Sequence, residues 1–255
     1  MTDPAVIAHR GYAGIGPENT IAGVERAASY EATAMIEIDV QPAACGTPVV
    51  FHDHQLDGQR NGTPITDAAG TIWETELEMI TSAEVLGSGE TVPTLAGLLE
   101  AVPPSIGLNV ELKNPGTGDI RMRYPLERSE RVERRELWSP FVEAVVADLD
   151  RFGGDVILSS FCEGALLAAR DVAPLYPRAP ILWGDIETGR SVAQRLSCDG
   201  LHPRQTAVGP DDLVAAQDEG LDVNVWTVDS IEQYDQLVRL GVDGIVSDYP
   251  LAALE

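Results

Sequence analysis

Strand-like apolar segments recur along the whole chain with helix-patterned segments between them, and this alternation restricts the fold more than any other feature. Strands are expected at residues 6–8, 35–40, 106–113, 156–160, 181–183, 200–202, 222–227 and 244–246. Helical spacing of apolar residues separates them, as at Ile21, Val24, Ala27 and Ala28, and again over 94–101, 163–172, 188–196, 210–218 and 230–240. Pro17-Glu18-Asn19-Thr20 supplies one helix start, and Thr94 caps another. Eight strands alternating with helices in 255 residues are the pattern of a closed parallel barrel, an α/β fold of the (β/α)8 TIM barrel class. The rhythm breaks over 54–92, a stretch rich in Gly, Thr and Asp with one short helix expected at 77–85. It reads as a small insertion between the second strand and the second helix. With no linker in the sequence, residues 1–255 are expected to form a single barrel domain.

Such a barrel presents its reactive groups at the carboxyl ends of the strands. In the segment 35–40, Ile36, Ile38 and Val40 share one face and Glu37 and Asp39 the other, because successive strand side chains point to opposite sides. In 106–113, Leu108, Val110 and Leu112 share one face, and Asn109, Glu111 and Lys113 the other. Adjacent anions on strands with so much aliphatic surface are costly unless a cation lies between them; a bound metal is one reading, an edge strand with solvated acids the other. The first strand ends in His9-Arg10-Gly11, where arginine can fork two donors onto phosphate oxygens, histidine can move a proton and glycine permits close backbone approach. The apolar run 48–51 ends in His52-Asp53, a second imidazole able to exchange a proton near neutral pH. Trp226 ends the strand 222–227 on the face of Asn224, as a core residue or a substrate contact. Glu18 and Asn19 read as capping residues, and His54 and His202 as weaker candidates beside His9 and His52.

Composition narrows the function classes. The 41 acidic residues against 17 basic ones give a formal net charge of -24, which argues against a nucleic-acid partner. Sixteen of the basic residues are arginine, and Lys113 is the one lysine, so that position calls for a compact ammonium. An acidic, lysine-poor surface resembles that of halophilic proteins, in which concentrated salt screens the mutual repulsion of carboxylates. Arg121, Arg123, Arg128, Arg131, Arg134 and Arg135 form a locally basic patch. It reads either as a self-paired solvated helix, with Glu127–Arg131 and Glu130–Arg134 at helical spacing, or as a lid that attracts an anionic substrate. Cys45, Cys162 and Cys198 lack the spacing of a disulfide framework or zinc knuckle. No apolar run reaches about 18 residues and no basic region with an apolar leader opens the chain, so a soluble, cytoplasmic protein without an integral membrane segment is expected.

Eight short motifs, HRG at His9, PENT at Pro17, EIDV at Glu37, VVFHD at Val49, VPTL at Val92, NVELK at Asn109, VWTV at Val225 and GIVSDYP at Gly244, together resemble the glycerophosphodiester phosphodiesterase family, in that family's order over nearly the whole chain. The resemblance implies metal-dependent hydrolysis of a small-molecule phosphodiester, a glycerophosphodiester, to glycerol phosphate and an alcohol. It implies one divalent ion, Mg2+ or Ca2+, with Glu37, Asp39 and Glu111 as its ligands, and three oxygen ligands suit either ion. It also implies His9 and His52 as the catalytic pair, with acid and base unassigned, and Arg10 and Lys113 as residues that hold phosphate; Trp226, from its place at a strand end, is added to them as a substrate-binding candidate. A divalent ion with Arg10 and Lys113 would neutralise the three carboxylates and a bound phosphodiester. The chain departs from the family pattern at Ala43 and Cys45, where a Thr and an Asp are usual, and at Leu56-Asp57-Gly58-Gln59, which replaces an arginine-threonine segment. These departures bear on loop geometry and on the substrate headgroup. Two other functions share the expected fold. A lysophospholipase D-type phosphodiesterase would be marked by an exposed apolar loop near the strand ends, and a non-catalytic barrel scaffold by the loss of a ligand.

The charge balance yields the first prediction: thermal stability rises from dilute buffer into molar potassium chloride. Melting curves at several salt concentrations check it, and an unchanged or falling melting temperature would contradict the halophilic reading.

Overall fold

The computed structural model describes residues 3–60, 62–122 and 124–251. Strand β1 (Ala5–His9) leads through α1 (Ile21–Ala28) to β2 (Thr33–Pro42), and β3 (Pro48–Val50) turns back on it. The strands β4 (Gln59–Arg60) and β5 (Thr63–Pro64), a 3-10 turn at Ile72–Glu74 and α2 (Leu77–Ser82) follow, then α3 (Leu95–Leu99) and β6 (Gly107–Leu112). The second half runs α4 (Glu130–Leu149), β7 (Val156–Ser160), α5 (Glu163–Val172), β8 (Arg178–Leu182), α6 (Ile186–Leu196), β9 (Gly200–Pro203), α7 (Pro210–Asp218), β10 (Asp222–Val228), α8 (Ile231–Leu240) and β11 (Gly244–Ser247).

Eight of these strands form a closed parallel barrel in the order β1, β2, β6, β7, β8, β9, β10, β11, because β1 pairs with both β2 and β11. Closure leaves no barrel edge, so every interior backbone group of the ladder has a neighbour. The outward faces of the strands are aliphatic. Ile36, Ile38, Val40, Leu108, Val110 and Leu158 are fully buried against the surrounding helices, in one cluster with Val24, Leu95, Leu98, Trp138 and Val145. Side-chain caps start the helices where the sequence offers them: Thr20 accepts from Gly23, Thr94 from Gly97 and Ser230 from Gln233. Among the described residues, no helix is long and apolar enough to cross a membrane.

Strand β3 is antiparallel to β2, with Val40 opposite Val50, and residues 54–92 build outward from this hairpin. That segment carries a small core of its own, in which Leu56, Ile65, Ile72, Ile80, Val85 and Val92 pack against Val49 and Phe51. Its helix stops at Ser82, short of the expected 85, because the backbone of Ala83 turns extended. Another boundary also differs. Strand β8 begins at Arg178, not at 181, and Trp183 lies beyond it. A buried arginine opens this strand, its guanidinium donating to the carbonyls of Pro174, Tyr176 and Ser197, and a charged residue masks a strand start in the sequence.

His202 on β9 is buried inside the barrel, where Asn224 on β10 donates to its Nε2 at 3.1 Å. Burial pushes its pKa down from 6.5 to about 4. The unfolded chain therefore takes up this proton at a higher pH than the folded one. Stability is complete above pH 6.5 and falls as the pH drops toward 4, by about 1.4 kcal/mol per unit and roughly 3 kcal/mol in all. Urea unfolding of the protein and of a His202→Gln variant across this window tests the assignment. The variant is expected to lose that part of the slope, and parallel curves would contradict it.

Candidate active site

Strand register brings the three inward carboxylates together. The Cα of Asp39 on β2 is level with Glu111 on β6, and Glu37 is level with His9 on β1. One oxygen from each of Glu37, Asp39 and Glu111 lies within 4.8 Å of the others, and all three residues are buried. Two cations from neighbouring positions offset part of this charge. Lys113 Nζ lies 2.9 Å from Glu111 Oε1 and 3.4 Å from Asp39 Oδ1, and Arg10 Nε lies 3.1 Å from Asp39 Oδ2. The offset is unequal. Burial and the adjacent Asp39 and Glu111 raise the Glu37 carboxyl well above its ordinary value, against the pull of Arg10. For Asp39, burial acts upward but Lys113, His52 and Arg10 outweigh it and hold the carboxyl below the usual range. Burial likewise disfavours the Lys113 ammonium, yet Glu111 and Asp39 raise its pKa above the ordinary value. Asp39 Oδ1 remains buried without a hydrogen-bond partner. An all-oxygen set with an orphaned carboxylate oxygen fits a hard divalent cation.

The HRG turn positions Arg10. Gly11 has φ +74, and a Cβ there would sit 2.8 Å from the backbone carbon of Gly23, so the close approach of α1 requires glycine. The turn directs the Arg10 amide to Glu37 Oε2 at 3.0 Å and the guanidinium to Glu18 at 3.3 Å. Glu18 and Asn19 are therefore more than capping residues. The cap is Thr20, while Asn19 Nδ2 donates to Asp39 Oδ2 at 2.8 Å and its Oδ1 accepts from the Asp39 amide at 3.2 Å.

His9 and His52 are each backed by an aspartate. His9 Nδ1 donates to Asp248 Oδ1 at 2.5 Å, and His9 Nε2 lies 3.9 Å from Glu37 Oε2. Burial alone would raise the Asp248 carboxyl, but the hydrogen bond and charge of His9 leave it lowered. His52 Nδ1 donates to Asp53 Oδ1 at 2.7 Å. In both residues the bond at Nδ1 leaves Nε2 as the nitrogen available for proton exchange. The backbone around His52 is clamped from inside the barrel. Gln41 Nε2 donates to the carbonyls of Phe51 at 2.8 Å and Asp53 at 2.7 Å, and the Phe51 amide donates to Asp39 O at 2.9 Å. Although Leu56-Asp57-Gly58-Gln59 lacks arginine, Arg60 on β4 donates to Asp53 Oδ2 at 3.0 Å and also to Glu18, tying the insertion to the barrel.

A cleft of about 600 Å³ opens over these groups and is lined by His9, Arg10, Glu37, His52, Glu111, Lys113 and Trp226, with Asp39 beneath its surface. Trp226 donates from Nε1 to the carbonyl of His202 at 2.8 Å. His54 lines the same cleft edge-on to Trp73, at 5.2 Å between ring centroids. The arginine-rich segment is bonded to the scaffold. Arg131 and Arg195 converge on the buried Glu163, Arg134 bonds Asp119, and Arg135 bonds Asp171. Arg123 lies outside the described residues, and none of the described arginines of this segment lines the cleft.

Asp248, Gln41 and Arg60 escaped the sequence reading as site residues. Gln41 could have been found, since period-two alternation puts it on the face of Glu37 and Asp39. Asp248 sits in the GIVSDYP motif with no local sign of its partner, and Arg60 reaches the site only through the fold of the insertion.

Comparison with known proteins gives one consistent family. The model of the glycerophosphoryl diester phosphodiesterase family matches residues 9–252. A glycerophosphodiester phosphodiesterase of Bacillus altitudinis is 30% identical over 262 residues, covering 98% of this chain and 96% of the relative. One from Caldanaerobacter subterraneus is 29% identical over 254 residues, covering 96% and 94%. Among solved structures, an Oleispira antarctica phosphodiesterase in complex with the product sn-glycerol-3-phosphate superposes with a TM-score of 0.81 at 28% identity, over 97% of this chain and 94% of that one.

Removing the clamp beneath His52 has a measurable cost. Gln41→Leu forfeits two hydrogen bonds and is expected to destabilise the fold by about 2 kcal/mol and to speed amide exchange at residues 51–53. A loss under about 0.5 kcal/mol with unchanged exchange would contradict the clamp.

Proposed function

Because the chain belongs to the glycerophosphoryl diester phosphodiesterase family, it is a phosphodiester hydrolase, and we propose that it cleaves glycerophosphodiesters to glycerol phosphate and an alcohol with one divalent ion, Mg2+ or Ca2+, held by Glu37, Asp39 and Glu111. The observation that carries this reading is the convergence of three buried carboxylates, one with an orphaned oxygen, beneath a cleft that also receives two aspartate-backed histidines. When bound, the ion supplies a Lewis acid that withdraws charge from the phosphoryl group.

The remaining work falls to side chains of the chain itself. Arg10 and Lys113 line the cleft beside the carboxylates and donate to phosphoryl oxygens, where charge builds as the fifth bond forms. Asp248 and Asp53 hold His9 and His52 with Nε2 available. One histidine takes the proton of the attacking oxygen and the other protonates the departing alcohol. Asn19 and Glu18 keep Asp39 and Arg10 in place while substrate enters and product leaves. With water consumed, the phosphorus–oxygen bond to the alcohol breaks and a phosphate monoester remains on glycerol.

The test is release of glycerol phosphate from glycerophosphocholine in high salt, with metal and with chelator. Activity is expected only with the ion. Glu37→Gln, Asp39→Asn and Glu111→Gln are each expected to lower it by about 100-fold or more and to remove the rise in melting temperature on adding metal. Full turnover in chelator, or variants that keep the thermal shift, would contradict the ligand assignment.

A further inference from the structure

The cleft has an apolar wall and, deeper in, a floor that is polar without being charged. The wall runs from Ile120 and Met122 to an aromatic group, in which Phe161 and Trp183 stack at 5.3 Å between centroids and Trp226 meets Trp183 edge-on at 4.9 Å. The floor includes Asn109 on β6 and His202 on β9, which line the cleft although they are only 3% and 2% exposed. Neither side chain has a part in holding the ion or moving a proton.

Both side chains are held at one end and unpaired at the other. Asn109 Oδ1 accepts from Ser159 Oγ at 2.8 Å, which fixes the amide and leaves its Nδ2 without an acceptor among the described residues. Asn224 Nδ2 donates to His202 Nε2 at 3.1 Å, so the ring proton lies on Nδ1, which also has no acceptor among the described residues. Neither nitrogen is among the sealed unpaired atoms of the interior, so both open on the cleft. The hold on His202 is built into two further strands. A Cβ at Gly244 would sit 2.2 Å from Asn224 Oδ1, so glycine leaves the room in which Asn224 reaches the ring, and Trp226 Nε1 donates to the His202 carbonyl at 2.8 Å. Buried donors left unpaired are costly and call for an acceptor from outside the chain.

That acceptor is a neutral oxygen. Burial keeps the His202 ring uncharged, its pKa pushed down to about 4, and Asn109 stands level with Glu37 beside the carboxylate cluster, which disfavours an anion. A cation would meet only N–H donors. In a glycerophosphodiester the glycerol is the constant part, whereas the departing alcohol varies and leaves through the mouth, so a closed floor suits the glycerol. We propose that Asn109 and His202 are specificity-determining residues that donate hydrogen bonds to the hydroxyl oxygens of the substrate's glycerol. This rests on the diesterase reading above and names what that site requires of its substrate. Asn109, one strand from Glu37, reaches the hydroxyl next to the phosphoester, and His202, on the strand opposite β2 in the barrel order, reaches the terminal hydroxyl.

The test compares glycerophosphocholine with its 1-deoxy analogue, which keeps the phosphate, the departing choline and the hydroxyl next to the phosphoester. The intact enzyme, with metal supplied, is expected to favour glycerophosphocholine about 10-fold or more in kcat/KM, because the analogue leaves a buried donor unpaired. His202→Phe is expected to bring the two values within about 2-fold of each other. Should that variant fail to fold, Asn224→Leu, which frees the ring from its partner, is expected to lower the ratio severalfold. Calorimetry with glycerol phosphate and its 2-deoxy analogue reads Asn109 without turnover. The intact protein is expected to bind glycerol phosphate severalfold more tightly, and Asn109→Leu to lose that preference. Equal kcat/KM for the two diesters in the intact enzyme, or a preference that folded His202→Phe and Asn224→Leu both retain, overturns the assignment while leaving the diesterase reading standing. A His202→Phe variant that changes the preference between choline and inositol as departing alcohols, with the glycerol preference intact, overturns it in favour of a headgroup contact. Absence of turnover on both diesters overturns the parent reading and this inference with it.

Discussion

Three carboxylates buried within 4.8 Å of one another repel strongly in a medium that screens them poorly, and the arrangement around them is best understood as the response to that repulsion. Lys113 and Arg10 bring two positive charges to the cluster, and Asn19 donates a further hydrogen bond to Asp39. The compensation is incomplete. Glu37 is pushed toward its protonated form by burial and by Asp39 and Glu111, and Asp39 keeps an oxygen without a hydrogen bond. A site left short of positive charge would gain stability by taking up a cation, and under the proposed function the same cation would serve a phosphoryl group whose charge grows during reaction.

The barrel supplies the rigidity this demands. Glu37, Asp39 and Gln41 are successive inward positions of β2, so two of the three clustered carboxylates and the glutamine that clamps the His52 backbone share one strand, with Glu111 beside them on β6. His9 depends on closure, because its partner Asp248 follows β11 and reaches it only where β11 pairs with β1. The insertion adds a second tie through Arg60, which joins Asp53 beneath His52 to Glu18 beneath Arg10. His52 and Arg10 thereby belong to one hydrogen-bonded frame. The arginine-rich segment performs a related task at the apolar rim, where its ion pairs fix the loop that carries Ile120 and Met122.

Much of this is legible in the sequence, for physical reasons that differ between elements. Period-two alternation in 35–40 and 106–113 puts carboxylates on one face without knowledge of the fold, and eight strands interleaved with helices imply a closed barrel that brings those faces inward. The start of β8 is hidden because a buried arginine, its guanidinium bonded to backbone carbonyls, looks like a surface residue in the sequence. The Glu163 anchor is hidden because it unites four chain segments through contacts no local pattern encodes. Asp248 and the aromatic wall are likewise products of tertiary placement, with the wall drawing on the loops that follow β6, β7 and β8 and on β10 itself.

Anomalous diffraction from crystals soaked in Mn2+ bears most directly on the claim that the carboxylate cluster is a cation site, because it locates the ion without reference to turnover. The account predicts one strong peak contacted by Glu37, Asp39 and Glu111 at about 2.0–2.6 Å, absent in a Glu37→Gln, Asp39→Asn double variant that keeps the fold. No peak there at saturating Mn2+ would contradict it.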